Sequence, residues 1–197
     1  MVKAATDHRE RLLAALTEVL AMRAYRDVTL TDITSAAKVS RRTFYEHFAN
    51  KDECLLALSA ETSVRMMNTL LASFSPTDAW EMLVQQVTAA YLGFIRNEPS
   101  LMQALYIETC TMGMAGLKAR RRVAELFAAF LVQQVTIRQQ RGELHSGIDQ
   151  ASAIAIVAGV NELILHHLMD DRADDLPQLA PVAGGIILRL TGTRVAP

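Results

Sequence analysis

The sequence predicts an all-α protein of about nine helices in two domains, and three observations support this prediction. Apolar residues make up 51% of the 197 residues, whereas glycine and proline number only nine and five, so long helices meet few interruptions. Apolar side chains recur at the three- and four-residue spacing of one helix face along most of the chain. No segment has a convincing strand pattern, and no internal repeat is visible.

The charge of the chain limits the kind of partner that it can have. A net charge of −1 argues against a protein that binds nucleic acid over its whole surface. Between Lys38 and Lys51, however, four cations stand against a single anion, Glu46. A compact basic patch on an otherwise acidic body suits a site-specific DNA-binding protein.

The sequence gives no sign of a secreted or membrane location. Residues 2–5 are not followed by the apolar region of a signal peptide, and the longest apolar run, 151–160, is too short to span a membrane. Cys54 and Cys110 both lie in apolar helical patterns, so we expect buried, reduced thiols and not a disulfide or a redox sensor. We therefore expect a soluble, cytoplasmic protein with no membrane partner.

Residues 29–55 contain the strongest local signals. Thr29 and Asp32 have the spacing of a capping box at the start of a short helix. After a break in the apolar pattern, Ser40 can cap a second helix, and Asn50 can cap a third. This segment therefore predicts two short helices joined by a tight turn, followed by a longer helix.

The second of these helices combines an apolar face with a basic one. Phe44 and Phe48 are four residues apart and can point inward together. The residues left largely on the outward side are Arg41, Arg42, Thr43, Tyr45 and His47. Two helices joined by a short turn, the second with a basic leading end, have the layout of a helix-turn-helix, whose second helix fits the major groove of DNA. The alternative is a generic three-helix core with a solvated basic face.

At these residues the sequence resembles the TetR family of bacterial transcriptional regulators. The matching segments are 29–33 (TLTDI), 37–40 (AKVS), 43–45 (TFY), 47–48 (HF) and 51–53 (KDE). Lys38 departs from the family pattern, which usually has glycine in the turn, as do Arg42, where a small residue is common, and Cys54, where leucine is common. If Lys38 is left-handed, its side chain costs on the order of 1 kcal/mol.

The resemblance implies a DNA-binding surface built on this segment. The side chains expected to meet base edges or nearby phosphates are Arg41, Arg42, Thr43 and His47. Those expected to fix the register on the DNA backbone are Thr29, Lys38, Tyr45 and Lys51, together with Ser40 at the start of the second helix. At the start of the first helix, Lys3, Arg9 and Arg11 either extend toward DNA or form a solvated basic end.

We expect residues 1–53 to form a DNA-binding domain and residues 54–197 a larger helical domain for ligand binding and dimerisation. The helices predicted outside the helix-turn-helix span 6–24, 51–73, 77–97, 99–111, 117–141, 150–169 and 176–191. Pro76 is expected at the first position of its helix, and residues 112–116, which contain two glycines, are expected to form a loop.

The helix predicted at 151–169 is apolar around most of its circumference, which indicates burial on several sides. This pattern fits an internal core helix. It also fits a dimer interface, since the resemblance implies a four-helix bundle made by the last two helices of each subunit. The residues assigned to such an interface are Ala151, Ala155, Gly159, Gly184, Gly185 and Leu188. A two-fold dimer would place two reading helices about 34–36 Å apart on a palindromic operator of double-stranded DNA.

The middle of the chain collects aromatic and methionine side chains, which are usually plain core but can also line a cavity. The resemblance implies a small apolar or amphipathic ligand there. The candidate ligand contacts are Trp80, Gln86, Tyr91, Phe94, Tyr106, Glu108, Phe127, Phe130, Asn161 and His166. Further polar candidates are Thr109, Arg138 and His145.

The sequence does not favour an enzyme. No phosphate-binding glycine loop or nucleophile motif is present, and we expect no catalytic residues, no cofactor and no metal. His166 and His167 are adjacent in a helix and point apart, so they do not form a metal pair.

The sequence and the resemblance together predict a ligand-responsive repressor that binds its operator as a homodimer and is released by a small, largely apolar effector. The effector would act by tilting the helix at 51–73. Two alternatives stay open: a DNA-binding regulator that a protein partner controls, and an activator or architectural protein without a small-molecule inducer.

Overall fold

The computed structural model describes residues 2–192, with the backbone alone of residues 2–6, and within this range every regular element is a helix. The all-α class is therefore confirmed. The chain divides into two compact units. Unit 1 takes the residues up to Thr62 together with Ser100–Ala119, and unit 2 takes Ser63–Pro99 and the residues from Arg120 onward. The predicted domain boundary at 53/54 falls inside a helix, and the functional division of the chain stays a prediction.

The helices that begin in unit 1 include the three of the predicted helix-turn-helix region. The first four helices of the chain are α1 (Val2–Met22), α2 (Leu30–Ala37), α3 (Arg41–Tyr45) and α4 (Lys51–Ala72), with a short 3-10 turn at Tyr25–Asp27 between α1 and α2. Of these, α2, α3 and the start of α4 form the predicted helix-turn-helix region. The buried residues of α1 recur on one face, and they share a core with Ile33 of α2 and Phe44 of α3. The side chain of Lys3 lies outside the described residues, so its predicted role stays a prediction.

The helix α6 of unit 1 is irregular in a way that the sequence did not predict. It consists of Pro99–Gln103, a π-helical stretch at Ala104–Glu108 and a last turn at Thr109–Thr111. The next helix, α7 (Gly113–Gln140), begins almost at once, so the predicted loop at 112–116 is wrong. Gly113 makes the sharp corner with a φ of +57°.

Unit 2 is built on α5 (Trp80–Asn97), the later part of α7, α8 (Gln150–Met169) and α9 (Ala180–Leu190), with a 3-10 segment at Ala173–Leu179 before α9. With α6 taken as one helix, the described residues contain nine α-helices, in agreement with the prediction. Pro76 does not begin α5 as predicted. It lies in a turn in which the Ser75 amide donates to Asp78 Oδ2 at 2.7 Å, and α5 begins at Trp80.

The two cysteines differ in their surroundings. Cys54 is buried, as predicted, and burial raises the pKa of its thiol to about 12, which leaves it protonated and unreactive at neutral pH. Cys110 is exposed, so the prediction of burial is wrong there. Its thiol lies on the outer side of the last turn of α6, where it donates to the Tyr106 carbonyl at 3.2 Å.

Helix α8 has an unusually apolar surface. By length and composition alone it could cross a membrane, with a mean hydropathy of 1.4 over its most apolar window. Only 22% of that window is buried inside the protein. Much of this apolar helix is therefore uncovered in the single chain.

Candidate functional site

Short-range hydrogen bonds fix the starts of α2 and α3. The Thr29 hydroxyl accepts from the Asp32 amide at 3.2 Å, and the Asp32 carboxylate accepts from the Thr29 amide at 2.8 Å, which completes the predicted capping box. The hydrogen bonds from Thr29 lower the pKa of Asp32. Ser40 caps α3 as predicted, because its hydroxyl accepts from the Thr43 amide at 3.0 Å. Both helices are thus ordered by residues close to them in sequence.

The turn between α2 and α3 is left-handed at Lys38, with φ 53° and ψ 46°. Arg11 of α1 holds this turn, because its guanidinium donates to the carbonyls of Ala37 and Lys38. The sequence suggested only a solvated end or DNA contact for Arg11. These bonds span 26 and 27 residues, so no local pattern could have indicated them.

The buried face of α3 sets the orientation of its exposed face. Phe44 and Phe48 are 0% and 4% exposed, and their ring centres lie 5.7 Å apart. On the outer side Arg41 and Arg42 are exposed, and Tyr45 is 57% exposed. We call Arg41, Arg42 and Tyr45 the outer face of α3.

Arg42 projects into solvent, because its side chain is 91% exposed. Its guanidinium pairs with Glu46 one turn along at 3.4 Å, and such an exposed ion pair contributes little to stability. Opening this pair therefore costs the protein little free energy.

Other predicted DNA contacts are more engaged within the protein. Thr29, Lys38 and Ser40 are exposed, whereas Thr43 is half-buried, and its hydroxyl bonds to that of Ser40 at 2.9 Å. His47 is also half-buried, with its ring 6.4 Å from that of His8.

Lys51 differs most from its predicted role as a contact to the DNA backbone. Its ammonium donates to the carbonyls of Tyr25 and Val28 at 3.1 and 3.0 Å, and it lies 4.5 Å from the centre of the Tyr25 ring. The Tyr25 hydroxyl in turn donates to Asp52 at 2.6 Å, and burial, followed by this carboxylate, raises the pKa of Tyr25. Lys51 therefore anchors the segment before α2 to the start of α4.

Unit 2 contains an apolar cavity, and the space in it that water-sized molecules can enter is about 90 Å³. Its lining is Leu70, Val87, Thr88, Tyr91, Phe127, Phe130, Leu131, Ile156, Val157, Val160, Asn161, Ala183 and Ile187. The Tyr91 hydroxyl donates to Asn161 Oδ1 at 2.7 Å, and the rings of Tyr91 and Phe127 meet edge to face with their centres 5.3 Å apart. The Thr88 hydroxyl is buried and has no hydrogen-bond partner within the protein.

Four predicted ligand residues line this cavity, namely Tyr91, Phe127, Phe130 and Asn161. Thr88 was missed, because a lone threonine in an apolar stripe gives no signal in the sequence. The remaining six predicted residues, Trp80, Gln86, Phe94, Tyr106, Glu108 and His166, do not line it.

The structure gives several of these six other roles. The Trp80 indole is buried and donates to Thr191 Oγ1 at 3.0 Å, 111 residues away. The Phe94 ring lies under the guanidinium of Arg65 at 5.6 Å. His166 is exposed and lies 3.4 Å from Glu162. Tyr106 and Glu108 belong to unit 1, and Gln86 is half-buried on α5 outside the lining.

Arg138, a further polar candidate, is also structural. It is 1% exposed, pairs with Glu143 at 3.2 Å and donates to the Asp78 carbonyl at 3.1 Å, so it joins the end of α7 to the turn before α5. Among the described residues, no group of three or more histidine, cysteine or acidic side chains is placed to hold a metal ion.

The predicted dimer residues fall into two groups. Ala151, Ala155 and Gly159 are exposed on α8 at four-residue steps, which places them along one side of the helix. Gly184 instead lies inside unit 2, where a Cβ would stand 3.6 Å from Val84 Cγ1, so the close approach that it allows is between α9 and α5. Gly185 and Leu188 are half-buried, and Leu188 packs on the core of unit 2.

Comparison with known proteins identifies the helix-turn-helix. Residues 12–58 match the family model described as bacterial regulatory proteins, tetR family. The chain belongs to the TetR family of bacterial transcriptional regulators. TetR regulators are soluble DNA-binding proteins that typically act as dimers, so the apolar surface of α8 is not that of a membrane span.

The relatives are either similar over part of the chain or distant over most of it. The uncharacterised HTH-type regulator YxbF of Bacillus subtilis is 32% identical over 92 residues, which is 46% of this chain but only 24% of that protein. The HTH-type transcriptional regulator UidR of Escherichia coli K12 is 21% identical over 191 residues, covering 95% of this chain and 93% of its own length. The crystal structure of the regulator FadR from Bacillus subtilis, in complex with stearoyl-CoA, has a TM-score of 0.76 at 18% identity and covers 94% of this chain and 99% of that one. This likeness establishes a shared fold.

Proposed function

We propose that this TetR-family protein is a ligand-responsive transcriptional repressor. It binds a palindromic operator as a homodimer, and a small, largely apolar effector releases it. The observation that carries the proposal is the outer face of α3. Phe44 and Phe48 are buried beneath it, Arg11 holds the preceding turn, and Arg41 and Arg42 face solvent.

The exposed cations have distinct tasks in this proposal. Arg41 and Arg42 reach base edges in the major groove, where arginine can bond guanine through two donors. Lys38 and Tyr45 contact phosphates and hold the register of the protein on the duplex. Lys51 acts indirectly, because its ammonium already holds the carbonyls of Tyr25 and Val28.

The dimer in this proposal forms through α8 and α9. Small side chains at Ala151, Ala155 and Gly159 are exposed and permit the close approach of a second helix. Large apolar side chains at Met169 and Leu190 are 62% and 59% exposed, and contact with a second copy would remove them from water. Two copies related by a two-fold axis would match the symmetry of a palindrome.

The cavity supports control by a small molecule over control by a protein partner, since a partner-controlled regulator needs no internal space. The fold neighbour FadR in complex with stearoyl-CoA also supports effector binding in this architecture. Helix α4 links the two functions along the chain: it begins with Lys51 in unit 1, and its Leu70 lines the cavity in unit 2. An effector that prefers one position of Leu70 would bias the orientation of α4.

Gel-shift binding to the DNA that flanks the gene of this protein tests the proposal. We expect binding to a palindrome that weakens steeply with salt, because phosphate contacts release counterions. Apolar compounds are then added to the complex, and one class should release the DNA. Binding that no compound releases would point to the partner-controlled regulator, and no specific binding at moderate salt would refute the proposed function.

A further inference from the structure

We infer that Arg11 is a positioning residue for α3: it sets how tightly the outer face of α3 binds DNA, although it does not itself contact DNA. The inference rests on the proposed role of α3 in operator binding, and it adds a residue of α1 to that role. Arg11 is then neither the DNA contact nor the solvated basic end that the sequence suggested, because its Nη2 donates to two carbonyls of the protein.

The carbonyls that Arg11 binds lie at the end of α2. The last carbonyls of a helix have no partner within it, so other donors must supply the missing hydrogen bonds. A backbone amide of the turn, that of Val39, donates to the Thr34 carbonyl at 3.0 Å. Arg11 Nη2 donates to the carbonyl of Ala37, and to that of Lys38 at 3.1 Å. The positive charge of the guanidinium also matches the negative end of the helix dipole.

The second of these carbonyls belongs to the left-handed residue of the turn. Lys38 has φ 53° and ψ 46°, a conformation that is less favourable for a residue with a side chain than for glycine. The direction of the Lys38 carbonyl depends on its ψ angle, so a hydrogen bond to that carbonyl opposes the return of Lys38 to a more favourable conformation. Arg11 therefore stabilises a backbone conformation that lysine does not prefer.

This turn determines the direction of α3. Only Val39 and Ser40 separate Lys38 from Arg41, the first residue of α3. A change in the φ or ψ angle of Lys38 therefore rotates α3 and its outer face relative to α2. The apparent affinity for DNA falls with the fraction of molecules in which α3 has the direction that fits the groove.

Arg11 is itself fixed to the core of unit 1. The next two residues of α1, Leu12 and Leu13, are both 0% exposed, whereas Arg11 is half-buried. The bonds from Arg11 to the turn therefore connect the start of α3 to the packed face of α1. Arg42 differs in each respect, since its side chain is 91% exposed and lies on the outer face of α3. Arg11 and Arg42 should therefore affect DNA binding in different ways.

The salt dependence of operator binding separates a positioning residue from a phosphate contact. Arg11→Met keeps an unbranched side chain and removes the donors, so the full-length protein should bind operator about tenfold more weakly. The slope of log affinity against log salt should stay the same, because no phosphate contact is lost. Lys38→Ala is the reference, since loss of a proposed phosphate contact should reduce this slope by about one. Fluorescence anisotropy over a range of salt concentrations measures both quantities.

Two further variants show whether Arg11 acts through the turn. Arg11→Lys keeps a charged donor, so most of the lost affinity should return. In a Lys38→Gly background the turn needs less support, because glycine adopts a positive φ readily. Arg11→Met should weaken operator binding only about threefold in that background, in place of about tenfold. Thermal unfolding should show the same coupling: Arg11→Met should lower the midpoint less in Lys38→Gly than in the unmodified protein.

Three results would overturn the inference: unchanged operator affinity in Arg11→Met, a salt slope reduced by about one in that variant, or an equal loss of affinity in the two backgrounds. The second result would make Arg11 a phosphate contact. The proposed function fails by a different result. If the unmodified protein binds operator but no compound releases it, the ligand-responsive repressor fails and the assignment of Arg11 stands. If the unmodified protein binds no DNA specifically, both fail.

Discussion

The polar groups of the two units are arranged in opposite ways. Around α2 and α3, Thr29 and Asp32 satisfy each other, and the Ser40 hydroxyl takes the amide of Thr43. In the cavity of unit 2, the half-buried hydrogen-bonded pair Tyr91 and Asn161 lies 70 residues apart in sequence, and the Thr88 hydroxyl has no partner within the protein. These groups of unit 1 are therefore satisfied by near neighbours in sequence, whereas the cavity of unit 2 keeps one buried hydroxyl without a partner in the protein.

Two buried threonines make the comparison concrete. Thr109 of unit 1 is 1% exposed, and its hydroxyl donates to the Leu105 carbonyl at 2.6 Å. Thr88 of unit 2 is 5% exposed, and its hydroxyl donates to no group of the protein. The same residue type therefore stabilises the protein at one position and costs stability at the other, which suggests different tasks.

The largest effect that we expect comes from blocking the proposed dimer interface on α8. In Gly159→Arg, no heavy atom of the protomer lies within 4 Å of the new Cβ, so the fold should be kept. The long charged side chain should prevent close approach of a second helix, and sedimentation at micromolar concentration should show a monomer. A monomer has one helix-turn-helix in place of two, so its operator affinity should be lower by about 10²–10⁴-fold.

The matched control for this change is Gly93→Arg on α5, where a Cβ also meets nothing within 4 Å. This variant should remain dimeric and should bind operator normally. A dimeric Gly159→Arg protein would show that the apolar face of α8 is not the interface.

The next effect tests whether the outer face of α3 reads sequence. In Arg42→Ala, binding to the operator should fall by about 1–3 kcal/mol, and discrimination should relax at one base position. Tyr45→Phe removes a hydroxyl that we assign to a phosphate contact. It should weaken binding to all DNA sequences by a similar amount, and by less than Arg42→Ala weakens binding to the operator. Binding to a panel of operators with single-base changes distinguishes the two. If Arg42→Ala weakened every sequence equally, its assignment to base reading would be wrong.

The sequence predicted those features that depend on near neighbours. The caps at Thr29 and Ser40, the inward pair Phe44 and Phe48 and the limits of α8 are set within a few residues, so periodicity and cap chemistry indicate them. The bond from Trp80 to Thr191 spans 111 residues, and no local pattern contains it.

Some predicted site residues make contacts within the protein that the sequence did not indicate. Lys51 was expected on the DNA backbone because of the family resemblance, and the structure shows that its ammonium donates to carbonyls 23 and 26 residues before it. Only four of ten predicted ligand residues line the cavity, because aromatic side chains at helical spacing look alike whether they face a cavity or a packed core. Residue type and spacing cannot distinguish these environments, whereas the packing of helices distant in sequence can.

A smaller effect tests the contrast between the two threonines directly. Thr88→Val removes an unpaired hydroxyl and should stabilise the protein by about 1 kcal/mol. Thr109→Val removes a hydroxyl that bonds the Leu105 carbonyl and should destabilise it by about the same amount. Thermal unfolding should show shifts of about 2–4 °C in opposite directions. Destabilisation by both changes would mean that the Thr88 hydroxyl is satisfied in solution, and the contrast between the units would fail.

The smallest effect concerns the left-handed turn, where the fixed surface of unit 1 carries strain. In Lys38→Gly, the backbone at φ 53° no longer clashes with a Cβ, so the free energy of unfolding should rise by about 0.5–1 kcal/mol. Loss of the ammonium should weaken binding to all DNA sequences and reduce the salt slope by about one. The control, Lys38→Ala, should show the same loss of DNA binding without the gain in stability, since it keeps the Cβ. Unchanged DNA binding in both variants would show that Lys38 does not contact phosphate. The side chain at this turn would then lower the free energy of unfolding without contributing to DNA affinity.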